Sequence, residues 1–187
     1  MSWTVGHPKN ARDISKLATW SVSSHKFGFG VDNLKDPDPN VFWQSEGPQP
    51  HHINLQFPHF VPILKVSLHL SHPKDDSYTP QKVCIRAGTG FHDLTDIRIV
   101  EFQKPDGWMT LDLRDAVLED AEGNETDPGE PIEAFLIQVV ILGNHLNGKD
   151  THVRGVKVWG PEQTTVMPEL DDFPFTSIEF RSQSCIR

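Results

Sequence analysis

Polar and apolar residues alternate along most of this chain, and a repeat of two belongs to a strand. Leu64, Val66, Leu68 and Leu70 alternate with Lys65, Ser67 and His69. Ile53, Leu55 and Phe57 alternate with Asn54 and Gln56, and Val83, Ile85 and Ala87 with Cys84 and Arg86. Met109, Leu111 and Leu113 do the same with Thr110 and Asp112, and residues 96–102 and 152–159 read as less regular strands. Residues 134–142, AFLIQVVIL, are apolar and rich in β-branched side chains on both faces, which predicts a central strand covered on both sides. Turn chemistry separates these runs: Pro48-Gln49-Pro50, Pro73-Lys74-Asp75-Asp76, Lys104-Pro105-Asp106-Gly107 and Asn147-Gly148. Helical pattern is scarce. Asp13 is placed to start a short helix through Ala18, and Asp32-Asn33-Leu34 to make one turn. The expectation is an all-β fold, an antiparallel jelly-roll β-sandwich with short N-terminal helical turns and a C-terminal tail.

With 187 residues the chain is the size of one generous domain. The pattern divides it into an N-terminal extension (1–10), the sandwich (11–160) and the tail (161–187). Net charge is −9. Residues 119–133 hold seven acids and no Lys or Arg, which predicts a solvated loop inserted between two strands, and the tail has five acids against two bases. The rest of the chain is therefore nearly neutral. It lacks the basic stripe that phosphate neutralisation needs, so nucleic acid is not an expected partner. The longest apolar run is far short of the ~20 residues of a membrane-spanning helix, and no membrane partner is expected. The first eight residues have no apolar core, so no signal peptide is expected. Cys84 and Cys185 stand outside any CxxC spacing and read as two reduced thiols, although a single bridge between them is open.

Catalytic chemistry finds little footing. Ten histidines invite a metal, but His51 and His52 are adjacent and point to opposite faces of a strand. His72 with Asp75 and Asp76 lies in a proline turn and reads as solvated loop; no metal site and no cofactor is expected. There is no GxSxG elbow, and Cys84 has no evident activating partner. Gly88-Thr89-Gly90 and Gly28-Phe29-Gly30 lack the context of a phosphate loop. A binding module is expected, not an enzyme.

The segment 143–154 follows the most apolar strand and holds amide, imidazole, carboxylate, hydroxyl and guanidinium groups within twelve residues. A hairpin turn at Asn147-Gly148 explains two of them. The others, from Asn144 and His145 to Asp150, Thr151, His152 and Arg154, form a donor and acceptor set suited to a peptide or sugar. The cluster Phe27 to Leu34, with Asp36 and Trp43-Gln44-Ser45, reads as structural: Gly28 and Gly30 permit positive φ, and Phe27, Leu34 and Trp43 plug the sandwich. The terminal Ile186-Arg187 offers an apolar anchor, a guanidinium fork and a carboxylate, or else is a frayed end.

Several of these stretches occur together in one family. Trp20-Ser21-Val22-Ser23-Ser24, Gly28 to Leu34, Phe42-Trp43-Gln44-Ser45, Pro50-His51, Ile53 to Phe57, Asp76-Ser77-Tyr78-Thr79-Pro80, Gly107-Trp108, Asn144 to His152 and the Ile186-Arg187 end resemble the DOC-domain subunit family of the anaphase-promoting complex. The likeness covers about residues 11–160 and the terminus; the 119–133 insert is longer than the family pattern. It implies a galactose-binding-like jelly roll in a non-catalytic subunit of a RING-type ubiquitin ligase found in nucleus and cytoplasm. It implies a destruction-box co-receptor, shared with a β-propeller co-activator, that raises the processivity of ubiquitin-chain addition. The degron-binding surface falls on Asn144, His145, Asn147, Gly148, Asp150, Thr151 and His152, beside Ser77 and Tyr78. Ile186 and Arg187 match the family's signal for docking on a TPR-repeat scaffold subunit, and a catalytic cullin-like subunit completes the implied partners. A carbohydrate- or lipid-binding sandwich of the same fold is the alternative, since fold does not fix function.

Overall fold

A computed structural model describes residues 3–114 and 129–162. Twelve strands follow in order: β1 (Trp3–Val5), β2 (Ala11–Asp13), β3 (Thr19–Val22), β4 (Trp43–Gln44), β5 (His51–Ile63), β6 (Lys65–Ser71), β7 (Pro80–Gly88), β8 (Thr95–Glu101), β9 (Asp106–Asp112), β10 (Ile132–Asn144), β11 (His152–Val153) and β12 (Gly155–Pro161). A one-turn helix, α1 (His72–Asp75), and single 3-10 turns at 15–17, 31–35, 76–78 and 145–147 complete the described elements. One sheet has the order β1-β9-β6-β12-β2 and the other β3-β5-β10-β7-β8, with β11 and β4 as a separate pair; all pairings are antiparallel.

The core lies between the two sheets and follows the alternation. Val66, Leu68 and Leu70 from β6 and Met109 and Leu111 from β9 face Ile53, Leu55 and Phe57 from β5, Val83 and Ile85 from β7, and Ile137, Val139 and Ile141 from β10. Each is at most 3% exposed. Fully burying one such side chain contributes about 1.5–3 kcal/mol. β10 lies third of five in its sheet, as its sequence predicts, and Leu136, Gln138 and Val140 on its outward side are buried too. No helical layer among the described residues does this. The register sets Gln138 between Asn54 and Arg86, and Val140 between His52 and Cys84. A short amide chain runs across that face: Gln138 Nε2 donates to Asn54 Oδ1 at 2.9 Å, and Asn54 Nδ2 to Ser21 Oγ at 3.1 Å.

Several expectations change. Pairing starts at Trp3, ahead of the expected boundary at residue 11, because β1 adds to β9 in register Trp3 to Leu111. At its C-terminal end the acidic insert gives way to β10 at Ile132, two residues early; residues 115–128 lie outside the described residues. Asp13 yields only a 3-10 turn, its carboxylate accepting the Ser15 N–H at 3.0 Å. Ser67, on the polar side of a half-buried pattern, is fully buried under Trp159, whose indole N–H donates to Ser67 Oγ at 2.7 Å. Leu34 and Trp43 plug the sandwich as expected, but Phe27 is 96% exposed. Gly28 takes a positive φ of 85° while Gly30 does not.

Candidate functional site

The polar loop after β10 is not a hairpin. β10 pairs with β5 and β7, whereas β11 pairs with β4, and β12 belongs to the opposite sheet. Residues 145–151 therefore cross between sheets at the end where β10 finishes and β5 and β7 begin. Leu146 and Asn147 both take positive φ, 52° and 57°, which makes the corner.

Asn144 closes the loop on itself. It is 4% exposed, and its Nδ2 donates to the carbonyls of Gly148 at 3.2 Å and Asp150 at 2.7 Å. His145 N–H donates to Thr79 O at 2.9 Å, which ties the loop to the 76–79 turn. Gly148 lies against that turn so closely that a Cβ would stand 1.9 Å from Ser77 O; the backbone approach, not a left-handed φ, demands glycine here. Gln49 Nε2 donates to Gly148 O at 2.8 Å, and His51 Nε2 lies 2.7 Å from Lys149 O. Thr151 is fully buried, bonded through its N–H to Ser45 Oγ at 2.8 Å and through its hydroxyl to Tyr78 O at 3.2 Å.

Beneath the loop lies a charged knot flanked by rings. Asp75, 5% exposed, accepts Arg154 NH2 at 2.5 Å and Nε at 3.0 Å, and its Oδ1 lies 3.1 Å from His152 Nδ1. Burial alone would push the Asp75 carboxyl up, but the hydrogen bonds from His152 and Arg154 and the Arg154 charge outweigh it and hold it below the usual carboxylate range. Arg154 NH1 reaches on to Pro39 O at 2.8 Å. The His152 ring is stacked on Tyr78 at 4.3 Å and lies 4.2 Å from Phe42, which stacks on Phe29. His72 and His145 meet edge to face nearby, and burial, followed by the His72 charge, lowers the His145 pKa.

All nine described residues of the predicted surface thus come together at one end. They divide by role. Asn144, Gly148 and Thr151 build the loop; Leu146 (73% exposed), Asn147 and Tyr78 (40% exposed) are presented to solvent, with Asp150 and His152 half-buried beside them. Ile186 and Arg187 lie outside the described residues, as does Cys185. Sequence reasoning missed Asp75 as a buried anchor, reading it as solvated loop, and missed Phe29, Phe42, Gln49 and His51 as walls. Among the described residues no group of three or more His, Cys, Asp or Glu could hold a metal, and no helix is long and apolar enough to cross a membrane. A larger cleft of about 860 Å³ lies elsewhere, on the outer face of the β6–β12 sheet between Trp20 and Trp108. Two of its lysines are engaged, Lys35 with Asp32 and Lys157 with Asp13.

Comparison with solved structures recovers the expected jelly roll. The family 32 carbohydrate-binding module of a Clostridium perfringens protein in complex with galactose matches with a TM-score of 0.61 and 13% identity, covering 80% of this chain and 98% of that one. Paired modules of the same family from another C. perfringens protein match with a TM-score of 0.65 at 12% identity, over 86% of this chain and 41% of that one. At such identity the likeness shows the fold alone. Sequence says more. The family model described as anaphase-promoting complex, subunit 10, matches residues 2–185. The subunit 10 proteins of Bos taurus and Schizosaccharomyces pombe are each 38% identical, over 177 and 175 residues, covering 94% of this chain and 88% and 87% of theirs. That of Dictyostelium discoideum is 41% identical over 151 residues, 81% of this chain and 74% of its own. The chain belongs to the family of anaphase-promoting complex subunit 10.

Proposed function

We propose that this chain works as a non-catalytic substrate-recognition and processivity subunit of the anaphase-promoting complex ubiquitin ligase, in nucleus and cytoplasm. Its loop end forms a destruction-box co-receptor with a β-propeller co-activator. Ile186 and Arg187 dock it on a TPR-repeat scaffold subunit, near the catalytic cullin-like subunit. The observation that carries the reading is the match to the subunit 10 family across residues 2–185. The convergence of Asn144–His152 with Ser77 and Tyr78 on a rigid sandwich supports the placement of the site. A degron is short and disordered, so ordering it costs free energy and its affinity for one receptor is low. Dividing it between two receptors raises effective concentration, lengthens residence and allows more ubiquitin transfers per encounter. The carbohydrate-binding alternative has only the fold behind it.

Photo-cross-linking tests the site directly. A photoreactive residue at Asn147, in the complex assembled with co-activator, should capture a destruction-box peptide, and a scrambled peptide should not be captured. Equal capture of both would refute the assignment.

A further inference from the structure

Asp75 belongs to none of the groups assigned above a role toward a ligand, yet one of its two partners, His152, belongs to the candidate surface. It is buried on the one-turn helix α1, and among the described residues its carboxylate meets Arg154 and His152. Arg154 supplies the balancing charge in a two-point grip and holds Pro39 with its remaining nitrogen. His152 uses Nδ1 toward Asp75. A carboxylate only accepts, so Nδ1 must carry the proton, and in a neutral ring Nε2 is then an acceptor. That Nε2 is shielded and makes no hydrogen bond among the described residues. Tyr78 and Phe42 pack on the ring and limit its rotation.

We infer that Asp75 is the positioning residue of the loop end: by fixing the Nδ1–H form and the orientation of His152, it makes His152 Nε2 a hydrogen-bond acceptor for an N–H or O–H donor of the bound peptide. The inference rests on the co-receptor reading and deepens it, since it states which kind of group the site selects at this point.

Two measurements on the full chain and the assembled complex test it. Long-range 15N–1H correlation of histidine-labelled protein at pH 8 should show His152 neutral and protonated on Nδ1; an Nε2–H ring or an imidazolium overturns the inference. His152→Asn keeps an amide donor where Nδ1 stood and removes the Nε2 edge. It should bind a fluorescent destruction-box peptide in the complex roughly tenfold more weakly, the worth of one buried hydrogen bond, with little loss of stability. Asp75→Asn should weaken binding by a similar factor. Wild-type binding by His152→Asn overturns the inference. If Asn147→Ala with Asp150→Ala still weakens binding in that case, the co-receptor reading stands and only the role of Asp75 falls; if neither pair matters, the loop-end reading itself is wrong.

Discussion

Gly148→Ala tests whether the loop end is built as described. The added Cβ would stand 1.9 Å from Ser77 O and 2.7 Å from Ser77 C, where ordinary contact begins near 3.4 Å. The loop and the 76–78 turn must therefore part by about 1.5 Å. Because the glycine φ is −59°, alanine adds no backbone strain, and the penalty is the overlap alone. Both segments are pinned, by His145 N–H on Thr79 O and by the Thr151 hydroxyl on Tyr78 O, so neither yields freely. Overpacking of this kind costs about 1–3 kcal/mol. For a domain of this length each kcal/mol lowers Tm by roughly 2–4 °C. Thermal and urea unfolding of the subunit measure the loss, with Gly143→Ala as control because nothing lies within 4 Å of its Cβ position. In the assembled complex Gly148→Ala should also shorten ubiquitin chains. A Gly148→Ala protein as stable as the control, with normal chains, would refute the steric reasoning.

Other perturbations follow the same logic. Ser67→Ala strips the partner from the buried Trp159 indole N–H and should cost about 1–3 kcal/mol in urea unfolding, whereas a neutral result would deny that bond its role. Leu68→Ala opens a cavity in a position with no exposure and should cost about 2–5 kcal/mol; a loss below 1 kcal/mol would mean the core is not packed there. Burial, then the Arg154 and Lys74 charges, lowers the His69 pKa below 6.5, so the unfolded chain binds more protons there. Stability should therefore hold above about pH 6.5 and fall as pH drops toward the lower folded value, with His69→Gln reducing the fall; an identical pH profile for the two proteins would contradict this. Leu146→Ser, at a 73% exposed position, should change stability by less than about 0.5 kcal/mol yet weaken peptide capture, and full capture would remove Leu146 from the surface.

The sandwich was legible because its two sheets demand alternation, and β5, β6, β7 and β9 carry it openly. Ser67 was not, since what covers it is Trp159, 92 residues away, and no local pattern encodes that contact. The same holds for the site. Asn144 to His152 stood out as a dense polar run, and the family resemblance drew Ser77 and Tyr78 to it. Asp75 looked like one more turn residue in Pro73-Lys74-Asp75-Asp76, and its partner Arg154 lies 79 residues on. The hairpin reading of Asn147-Gly148 failed for a related reason. Asn-Gly is the dipeptide of a two-residue hairpin, but here the positive-φ pair is Leu146-Asn147, Gly148 has a φ of −59°, and the strand order shows a loop that crosses between sheets. Phe27 failed differently: an aromatic residue beside glycines suggests a plug, yet the chain turns it outward.

The central claim is that the loop end of this subunit lengthens ubiquitin chains by holding the degron. Single-encounter ubiquitination by reconstituted complex containing Asn147→Ala with Asp150→Ala, scored as ubiquitins added per bound substrate, tests it most directly. Shorter chains with unchanged incorporation of the subunit are predicted, and wild-type chain length at full incorporation would contradict it.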